Sequence, residues 1–263
     1  MPEVIRFEEV TLFRKESTII NNVTFSIQEG QSVAVLGRNG AGKTTLINIL
    51  FGYLWPSTGK VFVFGEEYGT TPLAPLQSRM GFLQSSHQDL LLQKSLTALE
   101  VIITGIHKTL GLYRAVTPSD QSIALLQLRS LNLEQKADQR YSTLSSGEKT
   151  QILLLRAVAS GIGLLVLDEP TAALDFTARY NFERSIRKLK LENPTLTRIL
   201  ITHRIEEIPE DFESVMLLKQ GKIISFGNKS QVLTNENLSS LYDLPLEVQK
   251  INQRFFLSGL SGI

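Results

Sequence analysis

Short apolar runs separated by turn residues predict strands in the first quarter of the chain. Valine, isoleucine and phenylalanine dominate these runs, and such residues favour strands. The runs cover residues 4–7, 10–13, 23–27, 32–36 and 60–65, with a polar loop expected at 14–18. Because antiparallel strands are expected to accompany the buried run at 32–36, the pattern predicts a mixed sheet.

Apolar residues then change to helical spacing. The first helical series consists of Leu46, Ile49, Leu50, Tyr53 and Leu54. Pro56 and Gly59 are expected to end that helix. From about residue 85 to residue 160 strand signals disappear, and the helical period predicts a mostly helical insertion in which Ser119 caps a helix.

The alternation of strands and helices resumes after residue 160. Buried strands are predicted at 164–167 and 198–202, an amphipathic helix at 177–191, and a hairpin at 215–226. The remainder, from residue 227, is predicted to be a short tail of helix and strand.

Composition excludes several classes of site and partner. The chain of 263 residues has a net charge of +1, so we expect no nucleic acid partner. It contains no cysteine, which excludes disulfides, thiolate metal sites and cysteine nucleophiles. No apolar run approaches the length of a membrane span, and the acidic opening at residues 1–9 is not expected to be a signal peptide.

Residues 36–45, Leu-Gly-Arg-Asn-Gly-Ala-Gly-Lys-Thr-Thr, match the phosphate-binding loop pattern. A predicted strand precedes them and helical spacing follows, which argues against a glycine turn that precedes Lys-Thr by chance. Backbone N–H groups and the start of the helix would bind phosphate. Lys43 would reach the β- and γ-phosphates, and the Thr44 hydroxyl would ligate Mg²⁺.

Two further motifs carry candidate chemistry. An apolar strand ends in Asp168 and Glu169; beside a phosphate loop the first carboxylate would hold Mg²⁺ and the second would polarise an attacking water. The alternative is a helix start, where Asp-Glu-Pro is common. The segment at 144–148, Leu-Ser-Ser-Gly-Glu, precedes a helix predicted at 150–160. Ser145 there either caps the helix or forms an anion site together with the Gly147 N–H.

The order of these motifs resembles the nucleotide-binding subunits of ATP-binding cassette (ABC) transporters, over nearly the whole chain. Gln84 resembles the Q-loop glutamine of the family, and residues 144–148 resemble its signature. Asp175 lies in a segment similar to the D-loop, and His203 resembles the switch histidine.

The resemblance implies an α/β fold with a phosphate-loop core, an antiparallel β subdomain and an inserted helical subdomain. In the single domain 1–263, residues 1–84 and 161–230 would form the core with its antiparallel part, 85–160 the helical subdomain, and 231–263 a C-terminal tail. Two copies would pair head to tail with ATP between them.

The resemblance also implies site residues. The catalytic residues would be Glu169, His203, Lys43 and Gln84. The nucleotide would be bound by Gly37, Arg38, Asn39, Gly40, Ala41, Gly42, Lys43, Thr44 and Thr45, and on the partner copy by Ser145 and Gly147. Mg²⁺ would be bound by Thr44, Gln84 and Asp168. Gln84 would also link the nucleotide to a membrane partner, and Asp175 would communicate across the dimer.

The sequence departs from the family pattern at two places. The signature has Ser146, Gly147 and Glu148 where the family more often has Gly-Gly-Gln, yet its serine and fourth-position glycine remain. The aromatic that usually stacks on adenine aligns with Arg14, and Phe13 is adjacent. Either the planar guanidinium stacks or the phenyl ring takes its place.

The resemblance implies an ATP-hydrolysing subunit that powers a membrane transporter, located in the cytoplasm on the inner face of the membrane with integral membrane subunits as partners. Residues 232–248 are similar to the endings of subunits of iron–siderophore and metal-chelate importers. The alternative is a soluble ABC-type ATPase with a regulatory or repair role. An outward apolar groove around residues 85–112 would favour the transporter, and a wholly polar surface would favour the alternative.

Overall fold

The computed structural model describes residues 2–84 and 95–259. The chain divides into two compact units, the first formed by Met1–Gln77 with Thr197–Ile263 and the second by Ser78–Leu196. The strands are β1 (Glu3–Arg14), β2 (Ser17–Gln28), β3 (Ser32–Leu36), β4 (Thr58–Val63), β5 (Glu66–Glu67), β6 (Met80–Gln84), β7 (Leu164–Asp168), β8 (Thr197–Thr202), β9 (Ser214–Lys219), β10 (Lys222–Asn228), β11 (Leu246–Ile251) and β12 (Arg254–Gly259). The α-helices are α1 (Lys43–Leu50), α2 (Leu73–Gln77), α3 (Ala98–Ile106), α4 (Pro118–Ser130), α5 (Ser146–Val158), α6 (Phe176–Glu192), α7 (Lys229–Val232) and α8 (Asn235–Tyr242).

The first unit contains an antiparallel sheet with the strand order β2-β1-β4-β5. The two strands predicted at 4–7 and 10–13 are one strand, β1, because a bulge between Phe7 and Val10 lets the polar residues between them stay within it. Glu9 takes a left-handed backbone there (φ 50°), and its N–H donates to Thr24. The loop predicted at 14–18 is shorter, since Arg14 pairs with Ser17.

The first unit also contains the strand that leads into the phosphate loop. Every residue of β3 is buried, and it pairs in parallel with β8 on one side and β9 on the other. β10 continues this arrangement antiparallel to β9. Parallel strands buried on both faces are expected to be continuously apolar, as the sequence pattern at 32–36 predicts.

A fully buried arginine in β8 forms hydrogen bonds to the first residue of β3. Arg198 is 0% exposed, and its guanidinium donates to the Ser32 hydroxyl at 2.7 and 3.0 Å and to Asp211 at 2.7 Å. It also lies over the ring of Phe212, 4.7 Å from the centroid. Burial lowers the pKa of Arg198, and the Asp211 carboxylate opposes that shift.

The second unit is built on the parallel pair β6 and β7 and on helices, with no strand among its described residues 95–160. Helices α3 and α5 are joined by Arg156, whose Nε donates to Thr104 at 2.9 Å. The helical character predicted for this stretch is confirmed within the described part, while residues 85–94 lie outside it.

Three helix ends differ from the sequence predictions. Helix α1 ends at Leu50, since Gly52 takes a left-handed backbone (φ 71°), so Tyr53 and Leu54 lie beyond it. Helix α4 is capped by Thr117 and not by Ser119, because Thr117 and Asp120 form a reciprocal capping box with proline at the first turn. Helix α5 begins at Ser146, four residues before the predicted start.

Candidate nucleotide-binding site

The phosphate loop connects β3 to α1 in the first unit. The buried Lys43 side chain turns back into the loop, where its Nζ donates to the carbonyl oxygens of Gly37 at 2.8 Å and Arg38 at 3.2 Å. Gly40 and Gly42 both have positive φ values, 79° and 102°. These conformations let successive N–H groups of a short loop turn toward one point, which is the arrangement that binds phosphate.

The His203 segment begins beside the phosphate loop at the same edge of the sheet. Leu36 of β3 lies opposite Thr202 of β8 in the parallel pairing of these strands, and the Gly37 N–H donates to the Thr202 carbonyl at 3.4 Å. His203 follows directly and is half-buried. The Thr202 hydroxyl donates to the buried Glu207 carboxylate at 2.6 Å, which fixes the turn after the strand.

Gly221, predicted only as part of a hairpin turn, contacts the phosphate loop. Its N–H donates to the Ala41 carbonyl at 2.9 Å, and its carbonyl accepts the Asn21 N–H at 2.9 Å. Its φ is 73°, and a Cβ atom there would lie 2.2 Å from the Ile19 carbonyl oxygen. Only glycine fits this close approach, which joins the phosphate loop to β2. In the sequence, only the Gln220–Gly221 turn after an apolar strand marks this position.

The adenine-stacking candidates lie at the end of the β1–β2 hairpin. Phe13 pairs with Thr18, and its N–H donates to the Ser57 hydroxyl at 3.0 Å. The phenyl ring is 54% exposed, and Arg14 is exposed as well. Successive side chains of a strand point to opposite faces, so one of the two faces away from any ligand that the other contacts.

In the second unit, β6 and β7 bring Gln84 and Asp168 together. These two residues are register partners, and Gln84 Nε2 donates to Asp168 Oδ2 at 2.9 Å. Asp168 is buried. Glu169 follows with a left-handed backbone, φ 46°, a conformation that is unusual for a non-glycine residue and is concentrated at functional sites.

The signature segment forms the start of α5. Ser145 is the N-cap: its hydroxyl accepts the Glu148 N–H at 3.3 Å, and the Glu148 carboxylate accepts the Ser145 N–H at 2.9 Å. Lys136 Nζ lies 2.9 Å from the same carboxylate. The Lys136 ammonium, followed by the Ser145 N–H, holds the pKa of Glu148 below the ordinary value. The capping role of Ser145 is therefore confirmed.

Gly147 and Asp175 link the signature to the next helix of the same unit. A Cβ atom on Gly147 would lie 2.8 Å from the Ala178 Cβ, so a side chain there would push α5 and α6 apart. Asp175 is the N-cap of α6 and accepts the Ala178 N–H at 2.7 Å. A cavity of about 540 Å³ lies beside these helix starts and includes Ser145 in its lining.

The donor groups fit a hard cation. In the second unit, Asp168 and Gln84 supply side-chain oxygens at the ends of β7 and β6, and in the first unit Thr44 has an exposed hydroxyl at the start of α1. Mg²⁺ prefers such oxygen donors and takes only one or two from protein. No group of three or more histidine, aspartate or glutamate side chains suited to a metal ion occurs in residues 2–84 and 95–259.

The helices of the described chain include none with the length and apolar character needed to cross a bilayer.

Comparison with known proteins identifies the family. The family model for the ABC transporter matches residues 20–172. The ABC transporter ATP-binding protein YlmA of Bacillus subtilis is 33% identical over 97% of each chain. The hemin import ATP-binding protein HmuV of Methylobacillus flagellatus is 32% identical over 87% of this chain and 85% of its own.

Two solved structures extend the comparison. A metal-chelate type ABC transporter in an inward-facing conformation gives a TM-score of 0.79 at 26% identity, over 97% of this chain and 96% of the other. A dimeric ATP-binding cassette in a post-hydrolysis state, with ADP and Pi bound, gives a TM-score of 0.71 at 26% identity, over 85% of this chain and 98% of the other. The predicted α/β fold with a phosphate-loop core is confirmed. The chain belongs to the ABC transporter family and is an ATP-binding, ATP-hydrolysing transporter subunit.

Proposed function

We propose that this ATPase works as a head-to-tail homodimer that powers the import of a metal chelate through integral membrane subunits, from the cytoplasmic face of the membrane. The single observation that carries the proposal is the structural match to a metal-chelate type ABC transporter over 97% of this chain. The similarity to a hemin importer points to the same class of cargo.

Residues of the first unit bind the nucleotide phosphates. The loop N–H groups and the start of α1 surround the β- and γ-phosphates. The Lys43 ammonium donates hydrogen bonds to these phosphates in place of the two loop carbonyls that accept them in the structure. His203 contacts the γ-phosphate from the neighbouring strand end. The Phe13–Arg14 end of the hairpin contacts adenine.

Residues of the second unit carry the chemistry of water and metal. The Glu169 carboxylate orients the attacking water and accepts its proton. Asp168 and Gln84 would hold Mg²⁺, as would Thr44 of the first unit, and the bound ion would neutralise charge on the phosphate oxygens. The Gln84–Asp168 hydrogen bond of 2.9 Å supports a shared role, because a shift of one side chain moves the other.

A second copy completes the site. Ser145 and the N–H of Gly147 lie at the positive end of α5, and we assign them to the γ-phosphate bound by the partner copy. The Lys136–Glu148 ion pair supports this role, since it offsets the negative charge that the chain carries in place of the more usual glutamine. The solved dimeric cassette is the precedent for such pairing.

The surface of the helical part favours a membrane partner over a soluble role. Leu110 is 43% exposed, so the described part of the predicted docking region at 85–112 is not wholly polar. A wholly polar surface in that region would have favoured the soluble alternative.

Substitution of the catalytic base tests the mechanism. Glu169→Gln keeps size and hydrogen bonding but cannot accept a proton, so we expect ATP binding to persist, the dimer to accumulate with ATP, and turnover to fall at least 100-fold, which is within the contribution of general base catalysis. The matched control is Glu192→Gln, a carboxylate at the exposed end of α6 in the same unit. Unchanged turnover in Glu169→Gln would refute the assigned role.

Affinity purification from native membranes tests the partner. The tagged chain should be recovered with a polytopic membrane protein, and a metal-chelate importer requires that partner to be a permease of that class. Recovery from the soluble fraction alone, with ATPase activity intact, would refute the transporter coupling and favour the soluble alternative.

A further inference from the structure

The C-terminal segment contacts both nucleotide-binding elements of the first unit through two adjacent residues. Tyr242 is the last residue of α8, and its hydroxyl donates to the His203 carbonyl at 2.9 Å. Asp243 follows, and its Oδ2 accepts from Arg38 of the phosphate loop at 3.1 Å. In the sequence, this segment is marked only by its resemblance to the endings of metal-chelate importer subunits.

Asp243 also binds the strand beside the loop. Lys219, the last residue of β9, donates to the other oxygen of the Asp243 carboxylate and to the Ser240 carbonyl. Because β9 pairs with β3 up to Leu36, this carboxylate joins the strand end and the loop that follows it. The Lys219 and Arg38 cations hold the pKa of Asp243 below its ordinary value, so the carboxylate is ionised at neutral pH.

Helix α8 provides a fixed base for these contacts. Leu238 and Leu241 are fully buried, and Thr234 caps the helix by accepting the Asn237 N–H at 3.2 Å. At its other end Asp243 takes a left-handed backbone with φ 58°, and its N–H returns to the Ser239 carbonyl. This geometry sets the direction of the Asp243 side chain.

The contact between α8 and the loop is polar and not close-packed. A cavity of about 170 Å³ lies between them, lined by Arg38, Gly40, Lys219, Leu241 and Asp243 among others. The Arg38 and Asp243 side chains are 56% and 58% exposed, so the pair adds little to folding stability. Its effect is therefore expected on the local geometry of the loop.

Tyr242 acts on the histidine segment in the same way. Burial raises the pKa of Tyr242 to about 12, so its hydroxyl keeps the proton that it donates to the His203 carbonyl. That hydrogen bond fixes the main chain at the residue that follows β8. It complements the Thr202–Glu207 hydrogen bond on the other side of the turn.

We propose that Tyr242 and Asp243 are positioning residues of the ATPase site, Asp243 for the Arg38 segment of the phosphate loop and Tyr242 for His203. Through them the C-terminal helix sets the geometry of the two elements that contact phosphate. The inference rests on the roles proposed above for the phosphate loop and His203.

Isosteric variants of the full-length chain test this proposal. Tyr242→Phe removes one hydroxyl, and Asp243→Asn removes one charge while keeping a residue that tolerates the left-handed backbone. We expect Tyr242→Phe to lower kcat about 3- to 10-fold with KM for ATP within about twofold, and Asp243→Asn to raise the Kd for ADP about 3- to 10-fold, the range for loss of one hydrogen bond.

Two control variants match these changes away from the site. Tyr68→Phe removes a buried tyrosine hydrogen bond to the Leu50 carbonyl, and Glu67→Gln removes an ion pair with Lys60. Both should keep kcat and the Kd for ADP within about twofold. We expect Tyr242→Phe to change mainly kcat and Asp243→Asn to change mainly the Kd for ADP. A general loss of stability would instead change both constants in both variants.

A double-mutant cycle tests the Arg38–Asp243 contact, and a separate inactivating variant distinguishes failure of this proposal from failure of the proposed phosphate-loop roles. Asp243→Asn should weaken ADP binding less than twofold further when Arg38 is already changed to Gln, because both changes remove the same Arg38–Asp243 contact. The proposal is wrong if Tyr242→Phe and Asp243→Asn both behave like the controls, whether or not thermal stability changes. If Lys43→Met retains ATPase activity, the proposed loop roles fail instead.

Discussion

The capping box of the signature helix yields a quantitative prediction about Glu148. Its carboxylate accepts the Ser145 N–H at 2.9 Å and lies 2.9 Å from Lys136 Nζ, so one side chain makes both a hydrogen bond of the capping box and an ion pair. Glu148→Ala removes both, and Glu148→Gln keeps a neutral form of the hydrogen bond while losing the ion pair.

The magnitudes follow from these contacts. The Ser145 N-cap remains in Glu148→Ala, and the loss of the hydrogen bond from the Ser145 N–H to the carboxylate costs about 1 kcal/mol. The Lys136 and Glu148 side chains are 29% and 27% exposed, and an ion pair so close to solvent contributes about 0.5 kcal/mol. We therefore expect Glu148→Ala to lower the free energy of unfolding by about 1.5 kcal/mol, and Glu148→Gln or Lys136→Met by about 0.5 kcal/mol.

Urea unfolding followed by circular dichroism measures these differences, and its pH dependence tests the electrostatic part. The pKa of Glu148 is lowered in the folded chain, so the stabilisation is present above the pKa of an unfolded glutamate and is lost only as the pH falls through the lower folded value. The difference between wild type and Glu148→Gln should therefore be constant from about pH 8 to pH 5.5.

Two results would refute this reasoning. If Glu148→Ala were no less stable than Glu148→Gln, the hydrogen bond from the Ser145 N–H would contribute nothing. If the Glu148→Gln difference already shrank between about pH 7 and pH 5.5, the folded pKa would be raised and not lowered. A double change of Glu148→Gln with Lys136→Met should cost no more than either alone if the pair is the only contact the two single changes share.

Two further predictions concern the first unit. Arg198→Met should lower the free energy of unfolding by about 3 kcal/mol in urea titrations, because it leaves the buried side of Asp211 without its partner, whereas the exposed control Lys60→Met should cost under about 1 kcal/mol. For adenine, Phe13→Ala should weaken ADP binding about tenfold by calorimetry and Arg14→Ala less than about threefold, since a phenyl ring stacks on a base more strongly than a solvated guanidinium; the reverse order would assign the contact to Arg14.

Local sequence patterns predicted the elements of this fold better than their ends. The buried strands at 32–36 and 164–167 were correct to within a residue because continuous apolar runs in this fold are strands buried on both faces. β1 was wrongly divided because Glu8 and Glu9 interrupt its apolar run. Pairing with β2 and β4 on both sides, which no local pattern shows, keeps those residues in the strand.

The motif residues could be named from the sequence, but their supporting contacts could not. Motif spacing and the neighbouring residues identify Lys43, Asp168 and Ser145 in the sequence. The supporting contacts of Gly221 and Asp243 are not visible in the local sequence, because their partners at Ala41 and Arg38 lie about 180 and 205 residues away in the chain. Contacts over such separations are made by tertiary packing, so only the structure reveals that these two residues support the loop.

Two side chains that begin helices in the second unit also have proposed roles in the ATPase, Ser145 at the γ-phosphate and Asp175 in communication across the dimer. Ser145 caps α5 and Asp175 caps α6, and each satisfies backbone N–H groups that the helix leaves unpaired. A helix start that is well capped is also a rigid source of positive potential, which is what a phosphate contact needs. Loss of activity in an alanine variant at either position therefore cannot separate folding from chemistry. A substitution such as Ser145→Asp, which keeps a cap but repels phosphate, separates them.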